Sequence, residues 1–501
     1  MLIKNYFSLL LLLFLFPLFG QESKKISLQN ANVLKYNKEI NPDIQIVSGN
    51  VIFEHNSSLL FCDSALFYIN DNAVKAMGNI LLKINDSVSA KGDELFYDGK
   101  AKIATLKGKE VELRDNNIRL LTKELVYDIN NQEAYYLSGG TIQDPQNTLK
   151  SKHGFYFTDR KEFFFRYSVQ AQGDKYILTS DSMLYNTTTE TLSFFGKTHI
   201  IYDSTHLWFK HGWYKTKQHV AKAWDSAVLM RSTSILKADT IVYNDSTKIG
   251  IGIRYVYFQD TLERAAFTAH FMRYREQDSS LLLSDSALFY TWEKSKDTLF
   301  LHGDTLFAFK DTSRTRHVIA YYKVRFFHPS LQGICDSLHY STADSTLKLY
   351  HFPIVWYENV QSSADTIYAL VSQNKLRQVK LLHKAFIHYP YKKNDFNQLK
   401  GRHAFLFFEN NELQSIIMQE NAEIIYFIED STKGTAINYS QAHKIKILLS
   451  PEQRELDKVI FYKQIEGTLY PYNELSEEKK KLQGFQNNEA LRPKSVQDLF
   501  K

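Results

Sequence analysis

A short motif that recurs about every 30 residues constrains the fold of this chain more than any other feature. The motif is a small residue, Asp, a short polar residue or Glu, two mostly apolar residues and an aromatic residue. Clear copies lie at residues 62–67, 92–97, 180–185, 238–243, 284–289 and 335–340. Degenerate copies place other residues in the Asp position, namely Lys123, His153, Lys210 and His270. A fixed period of this length indicates an array of stacked supersecondary units.

A second repeat, built on glycine, runs between copies of the first. Its members are Gly49, Gly78, Gly108 and Gly139, which are 29, 30 and 31 residues apart, and Gly196 follows later. Gly-Asn pairs such as Gly49-Asn50 accept positive φ angles and are typical of tight reversals. We therefore predict that each period contains a turn, two strands, a turn and a further strand, with roughly ten residues for each strand and its connection.

Composition favours strands and excludes several classes of protein. Aromatic residues make up 14% of the chain, with 31 Tyr and 35 Phe, and such side chains pack well on a pleated surface. The apolar content of 44% and the low counts of Pro, Gly and Cys exclude a disordered chain, a collagen-like chain and a disulfide-rich miniprotein. The net charge of +6 is mild and dispersed, which argues against nucleic-acid binding.

Alternation along the motif strands predicts one apolar interior stripe. Residues two and four positions after the Asp should share one face with it, and the strands that follow the glycines show the same alternation. The predicted interior residues are Val51, Phe53, Ala65, Phe67, Ile80, Leu82, Leu95, Tyr97, Leu125, Tyr127, Met183, Tyr185, Ile241 and Tyr243. The predicted fold is all-β, an elongated repetitive array of stacked strands.

The two ends of the chain differ from the array. Residues 1–20 contain Lys4, an apolar run from Phe7 to Phe19 and Gly20, which is the layout of a cleavable secretory signal peptide; an uncleaved anchor is the alternative. We assign residues 21–470 to the array, clearest at 45–145 and weakest after 270. Residues 471–501 are polar and lack the repeat, so we predict a C-terminal tail or cap.

No residue pattern points to catalysis. The recurring Asp is best explained as a turn or strand-end residue whose side chain bonds nearby backbone amides. The sequence contains no nucleophile elbow, metal-binding His-Glu-x-x-His motif or phosphate-binding glycine loop, so we expect no enzyme, no metal and no cofactor. Cys62 and Cys335 occupy the same small position before Asp, about nine periods apart, and are predicted to be buried and unpaired.

The Gly-Asn starts and the Asp motif strands resemble the OstA-like domain of lipopolysaccharide export proteins, a family that includes LptA-like periplasmic bridges. The resemblance is clearest at 45–145 and fades towards 445, and residues 467–471 and 482–485 resemble the close of long OstA-like proteins. It implies a β-jellyroll that holds lipid acyl chains between two sheets, so the interior residues given above become candidate lipid-facing residues; an ordinary filled core is the alternative for them.

The resemblance further implies a non-enzymatic periplasmic bridge for lipopolysaccharide transport to the outer membrane. Its expected partners are lipopolysaccharide or lipid A, and other Lpt-type jellyroll proteins that pair through edge strands, with no nucleic acid. Two alternatives stay open: an outer-membrane β-barrel, and a structural or adhesive β-solenoid without lipid. The regular period and the charges of Lys83, Glu94 and Lys123 on predicted strands argue against the barrel.

Overall fold

The computed structural model describes residues 25–36, 43–145, 147–292, 298–372, 375–392, 394–430, 434–450 and 456–501. These ranges form antiparallel β-structure almost throughout, which confirms the all-β prediction. They divide into two compact units, which we call unit 1 (residues 1–174) and unit 2 (residues 175–501). The predicted signal segment 1–20 lies outside the described residues. Within the described ranges, no helix has the length and apolar character needed to cross a membrane.

The described strands of unit 1 are β1 (Ser27–Asn30), β2 (Val33–Tyr36), β3 (Ile44–His55), β4 (Ser58–Tyr68), β5 (Ala73–Lys83), β6 (Val88–Asp98), β7 (Ile103–Asp115), β8 (Ile118–Asp128), β9 (Glu133–Tyr136), β10 (Gly140–Gln143), β11 (Thr148–Ser151), β12 (His153–Phe157) and β13 (Glu162–Gln172).

The described strands of unit 2 are β14 (Tyr176–Asn186), β15 (Thr191–Tyr202), β16 (Thr205–Lys215), β17 (Val220–Arg231), β18 (Ser234–Asn244), β19 (Ile249–Asp260), β20 (Ala265–Arg275), β21 (Ser280–Trp292), β22 (Thr298–Lys310), β23 (Arg316–His328), β24 (Leu331–Ser341), β25 (Thr346–Tyr350), β26 (Ile354–Tyr357), β27 (Val360–Ser363), β28 (Thr366–Ser372), β29 (Lys375–Lys392), β30 (Asp395–Glu409), β31 (Glu412–Asp430), β32 (Gly434–Leu449), β33 (Leu456–Tyr462) and β34 (Glu466–Pro471). Short 3-10 helices follow at Tyr472–Glu474, Glu489–Leu491 and Val496–Phe500.

Each 30-residue period contains two long strands rather than three short ones. Strands β3 to β8 begin at residues 44, 58, 73, 88, 103 and 118, and each pairs antiparallel with the next. Some reversals are two-residue hairpins, such as Asn56-Ser57 with φ angles of 48° and 69°. Others use a side chain that accepts backbone hydrogen bonds, as Asp98 does from the amides of Lys100 and Ala101 at 2.9 Å. The predicted three-strand period is therefore wrong, although its length is right.

The Gly-Asn pairs lie at bends inside strands and not at reversals. Gly49 and Asn50 have φ angles of 79° and 48° in the middle of β3, and β3 pairs with β4 on both sides of them. The register shifts between Ser48 and Val51, as it does when extra residues bulge out of a ladder. Two-residue hairpin turns and bulges of this kind both use positive φ angles, so a Gly-Asn pair in the sequence does not show which of the two it forms.

The bends divide the paired strands of unit 1 into two arms of one folded sheet. Arm A contains residues 44–48, 64–68, 73–77, 94–98, 103–107 and 124–128, and arm B contains residues 51–55, 58–62, 80–83, 88–92, 111–115 and 118–122. The rings of Phe53 in arm B and Phe67 in arm A lie 5.4 Å apart between centroids. The two arms therefore face each other, as predicted for two facing sheets.

Candidate functional site

The interior of each unit contains apolar rows that run across the strands. Residues paired directly in antiparallel strands project to the same face. In arm A of unit 1, one such row is unbroken and almost completely buried: Val47, Ala65, Ala76, Leu95, Leu106 and Leu125. The corresponding row of arm B consists of Phe53, Leu60, Leu82, Ala90, Leu113 and Leu120.

Unit 2 has a longer row of the same kind, from β14 to β32. Its buried members are Met183, Phe194, Gly212, Ala223, Ile241, Gly252, Met272, Leu283, Leu306, Ala320, Leu338, Leu349, Ile367, Leu381, Ala404, Met418 and Ile445. We call the arm of unit 2 that carries this row arm A as well.

A cleft opens between the two arms of unit 1, with an empty volume of about 430 Å³ that includes open solvent at its mouth. A second row of arm A forms one wall, and in it small residues alternate with Tyr: Val74, Tyr97, Ala104 and Tyr127 are paired in that order. Because Val74 and Ala104 are shorter than the tyrosines beside them, they leave space in the wall. The opposite wall comes from arm B through Phe53, Leu60 and Leu82.

One polar contact crosses the apolar cleft. His55 of arm B is hydrogen-bonded through Nδ1 to the hydroxyl of Tyr97 of arm A, and both residues are buried. Burial raises the pKa of Tyr97 well above its ordinary value, and the charge of Asp98 adds to this effect. The phenol is therefore uncharged at neutral pH, and the cleft suits an apolar guest better than a charged one.

The structure separates the predicted interior residues into groups. Most of them are buried: Val51, Phe53, Ala65, Ile80, Leu82, Leu95, Tyr97, Leu125, Tyr127, Met183 and Ile241. Phe67 and Tyr185 are half-buried, whereas Tyr243 is 36% exposed because it lies near the end of β18, where its hydroxyl contacts Glu276. Of the predicted interior residues, those that line the cleft are Phe53, Leu82, Leu95, Tyr97 and Tyr127.

Sequence reasoning missed several cleft residues, including Ile26, His55, Leu60, Val74 and Ala104. Val74 and Ala104 lie on the strands between motif copies, directly opposite Tyr97 in the ladder. A period of two strands, applied to the sequence, would have placed Val74 and Ala104 beside Tyr97.

The motif Asp lies outside the cleft and stabilises the bends. Asp63 is exposed while Ala65 is buried, so the prediction that they share a face is wrong; the strand changes direction between them. An oxygen of Asp93 accepts a hydrogen bond from the backbone amide of Lys109 at 2.9 Å, in the bend of the neighbouring strand. Asp181 does the same for Lys197 at 2.8 Å. The carboxylate thus bonds a backbone amide, as expected, but in mid-strand and not at a strand end.

Other copies replace this contact with a pair of opposite charges. Lys210 takes the motif position and lies 3.3 Å from Asp225 in the next bend. The next copy reverses the signs, with Asp239 at 2.9 Å from Arg254. The repeated carboxylates therefore have a structural explanation and need no catalytic role. Within the described ranges, no cluster of three or more His, Cys, Asp or Glu could hold a metal ion.

Both cysteines are free and buried, as predicted. Burial, with a smaller contribution from the charge of Asp63, raises the pKa of the Cys62 thiol to about 11. Burial and the neighbouring Asp336 raise the pKa of Cys335 to about 12. Both thiols are therefore protonated at neutral pH and are weak nucleophiles.

Comparisons with known proteins agree with these features over the first part of the chain. A family described as "OstA-like protein" matches residues 23–181. None of the curated proteins compared with the chain matches it. Among solved structures, the chain is similar to LptH, the LptA homologous periplasmic component of the conserved lipopolysaccharide transport device from Pseudomonas aeruginosa. This likeness has 11% identity and a TM-score of 0.21, and it covers 23% of this chain and 81% of LptH.

A TM-score of 0.21 is too low to indicate a shared global arrangement. Residues 23–181 match the OstA-like family, which confirms the resemblance carried by the sequence motifs there.

Proposed function

We propose that this protein is a non-enzymatic periplasmic lipid carrier that acts as a bridge in lipopolysaccharide transport. Acyl chains of lipopolysaccharide or lipid A would lie between arm A and arm B, in contact with the interior residues named above. The observation that carries this proposal is the apolar cleft between the arms of unit 1, whose walls come from two different layers of an OstA-like segment.

The physical basis is the transfer of hydrocarbon out of water. Each methylene group buried in the cleft contributes about 0.8 kcal/mol, and no covalent step is required. The phenol of Tyr97, which is hydrogen-bonded to His55, is uncharged at neutral pH because burial raises its pKa. The sugars and phosphates of the lipid would remain at the mouth, in contact with water.

Partner proteins of the same fold would pair through edge strands. In unit 1, β1 and β2 both pair with β3, and all residues of β2 are exposed. In unit 2, β33 and β34 both pair with β32. Such strands have unused backbone donors and acceptors, and a strand from another jellyroll protein could satisfy them.

Filling the cleft tests the proposal. Ala104→Leu adds bulk inside the cleft, whereas Thr105→Leu places the same leucine side chain on the opposite face of β7 and serves as the control. Overpacking at residue 104 should cost about 1–3 kcal/mol of stability, so folding is checked first by circular dichroism. We expect lipid A or lipopolysaccharide to co-purify, without detergent, with residues 21–501 and with Thr105→Leu, and to be at least halved in Ala104→Leu. Equal lipid in both folded variants, or none in the unaltered chain, would contradict the proposal.

A further inference from the structure

The C-terminal segment of unit 2 packs against strands far from it in sequence. We call residues 475–500 the strap. Leu482 and Leu499 of the strap are only 3% and 1% exposed. Along its length the strap contacts strands in reverse order, from β32 back to β22.

The strap covers the outer face of arm B of unit 2. This arm contains residues 298–302, 324–328, 331–335, 354–357, 360–363, 385–392, 395–401, 422–430 and 434–442. Gln361, His388, Gln398 and Ile425 are paired in that order and therefore share one face of the arm.

The other face of arm B looks into the unit. A Cβ added at Gly401 would lie 2.6 Å from the side chain of Met418, which belongs to the inner row of arm A. Gly401 pairs with Ala385. Ala385 is an odd number of positions from Phe386 and His388, which contact the strap, so it projects to the opposite face of the strand. Strap and interior are thus on opposite faces of arm B.

Two glutamine side chains bind the main chain of the strap. The amide of Gln398 donates to the carbonyl of Lys480 at 2.8 Å and accepts from the backbone amide of Leu482 at 2.8 Å. Gln361 repeats this contact, donating to the carbonyl of Gln486 at 2.9 Å and accepting from the amide of Asn488 at 3.0 Å. Each side-chain amide thus bonds a carbonyl and an amide two residues apart, as the backbone of one residue does with the neighbouring strand in a parallel ladder.

Apolar side chains anchor the strap between these two contacts. Leu482 packs in a buried cluster with Phe386, Ile425, Phe427 and Ile437. The ring of Phe485 lies 5.0 Å from that of His388 and 5.2 Å from that of Phe396, measured between centroids.

The far end of the strap is held by further contacts. The guanidinium of Arg492 donates to the side-chain oxygen of Gln332 at 2.8 Å and to the carbonyl of Glu358 at 2.7 Å. The ring of Phe500 lies 4.6 Å from that of His302.

The buried polar groups show that this face binds main-chain atoms. Gln361 and Gln398 are 3% and 2% exposed, and a buried amide without partners is costly. Each glutamine also has one hydrogen bond within arm B, to Trp356 or to Phe396, but the other four go to backbone atoms of the strap. The two amides therefore recognise main chain and place few demands on side chains. Nδ1 of His388, also buried here, has no hydrogen-bond partner among the described residues.

We propose that the outer face of arm B in unit 2 is a docking surface for a peptide segment bound through its main chain, and that the strap is its resident and releasable occupant. A partner segment that competes for this surface must present free backbone groups two residues apart, where Gln361 and Gln398 lie, and an apolar side chain in the place of Leu482. Such a partner gains access only when the strap leaves, so the strap regulates the surface.

The test uses the full chain with a protease site inserted between the exposed residues Asn473 and Glu474, cleaved after folding. We expect the severed strap to stay bound through size-exclusion chromatography. In a Gln361→Ala, Gln398→Ala double variant it should dissociate at least about tenfold faster, because four hydrogen bonds are lost. The matched control is Gln378→Ala, Gln414→Ala, which changes the same residue type in arm A and should leave the rate unchanged.

Immediate loss of the strap from the unaltered chain, or equal dissociation rates in the two double variants, would overturn the proposal. If the first double variant does not fold, a labelled synthetic peptide of residues 475–501 is added to the cleaved unaltered chain. Saturable exchange of this peptide into the complex supports a docking surface, and absence of exchange overturns it.

Discussion

Several bends combine a backbone conformation that most residues avoid with a contact from a side chain of the neighbouring strand. Gly78 has a φ angle of 79°, and the amide side chain of Asn79 donates to Asp63 at 2.7 Å. Non-glycine residues accept the same conformation at other bends, for example Asp225 and Tyr322 with φ angles of 64° and 59°. The sequence predicted positive φ at the glycine positions, because glycine is the residue that takes this conformation without strain. It could not predict the bends that lack glycine.

Gly78→Ala tests the cost of a bend. An alanine there takes a left-handed conformation and places its Cβ 2.5 Å from an oxygen of Asp63. We expect the free energy of unfolding to fall by about 1–2 kcal/mol, measured by urea denaturation. The control is Gly250→Ala, which lies in a strand with its nearest neighbouring atom 3.8 Å from the added Cβ. It should be neutral or stabilising by up to about 1 kcal/mol, and equal losses in the two variants would show that left-handed geometry is not the cause.

At the scale of elements, the bends mislead a sequence-based assignment of strands, which predicts three short strands in each period where the structure has two long ones. The alternation of apolar residues shifts phase at each bend, so a strand such as β4 looks like two strands joined by a polar turn at Asp63. The predicted length of the period is still correct, because the bend lies at the same position in each repeat. The sequence predicts a C-terminal tail or cap at 471–501 but not where it docks, because Gln361 and Gln486 are 125 residues apart and neither belongs to a repeated pattern.

The strap should dock less well in acid. Nε2 of His388 lies 3.3 Å from the carbonyl oxygen of Gln486, and burial lowers the pKa of this histidine. Because the undocked imidazole has the higher pKa, near 6.5, stabilisation is complete above that pH and is lost as the pH falls through the docked-state value.

In the cleaved chain described above, the strap should therefore leave faster at pH 5.5 than at pH 7.5, by at most about tenfold, because pH 5.5 lies about one unit below the pKa of the undocked imidazole. His388→Gln, which keeps a donor but cannot be protonated, should remove most of this difference. His199→Gln is the control, since burial also lowers the pKa of His199, which stacks on His206 away from the strap. An unchanged pH dependence in His388→Gln would assign the effect to other groups.

At the scale of the whole molecule, the proposed lipid carrier is built from repeats. The all-β class, the 30-residue period and the buried rows were predictable, since alternation and spacing are local properties of the sequence. The cleft was only partly predictable, because it depends on which small residues, such as Val74 and Ala104, come to lie beside Tyr97. Whether an interior residue fills a core or contacts a guest depends on space between two arms, which alternation does not report.

The most direct test places a photocrosslinking amino acid at Tyr97 or at Phe96 and exposes each folded protein to lipopolysaccharide. Tyr97 lines the cleft, whereas Phe96, the adjacent residue of β6, is 48% exposed on the opposite face. The account predicts a crosslink to lipopolysaccharide from residue 97 and little or none from residue 96. Equal crosslinking from both positions, or crosslinking from residue 96 alone, would contradict the claim that acyl chains lie between the two arms.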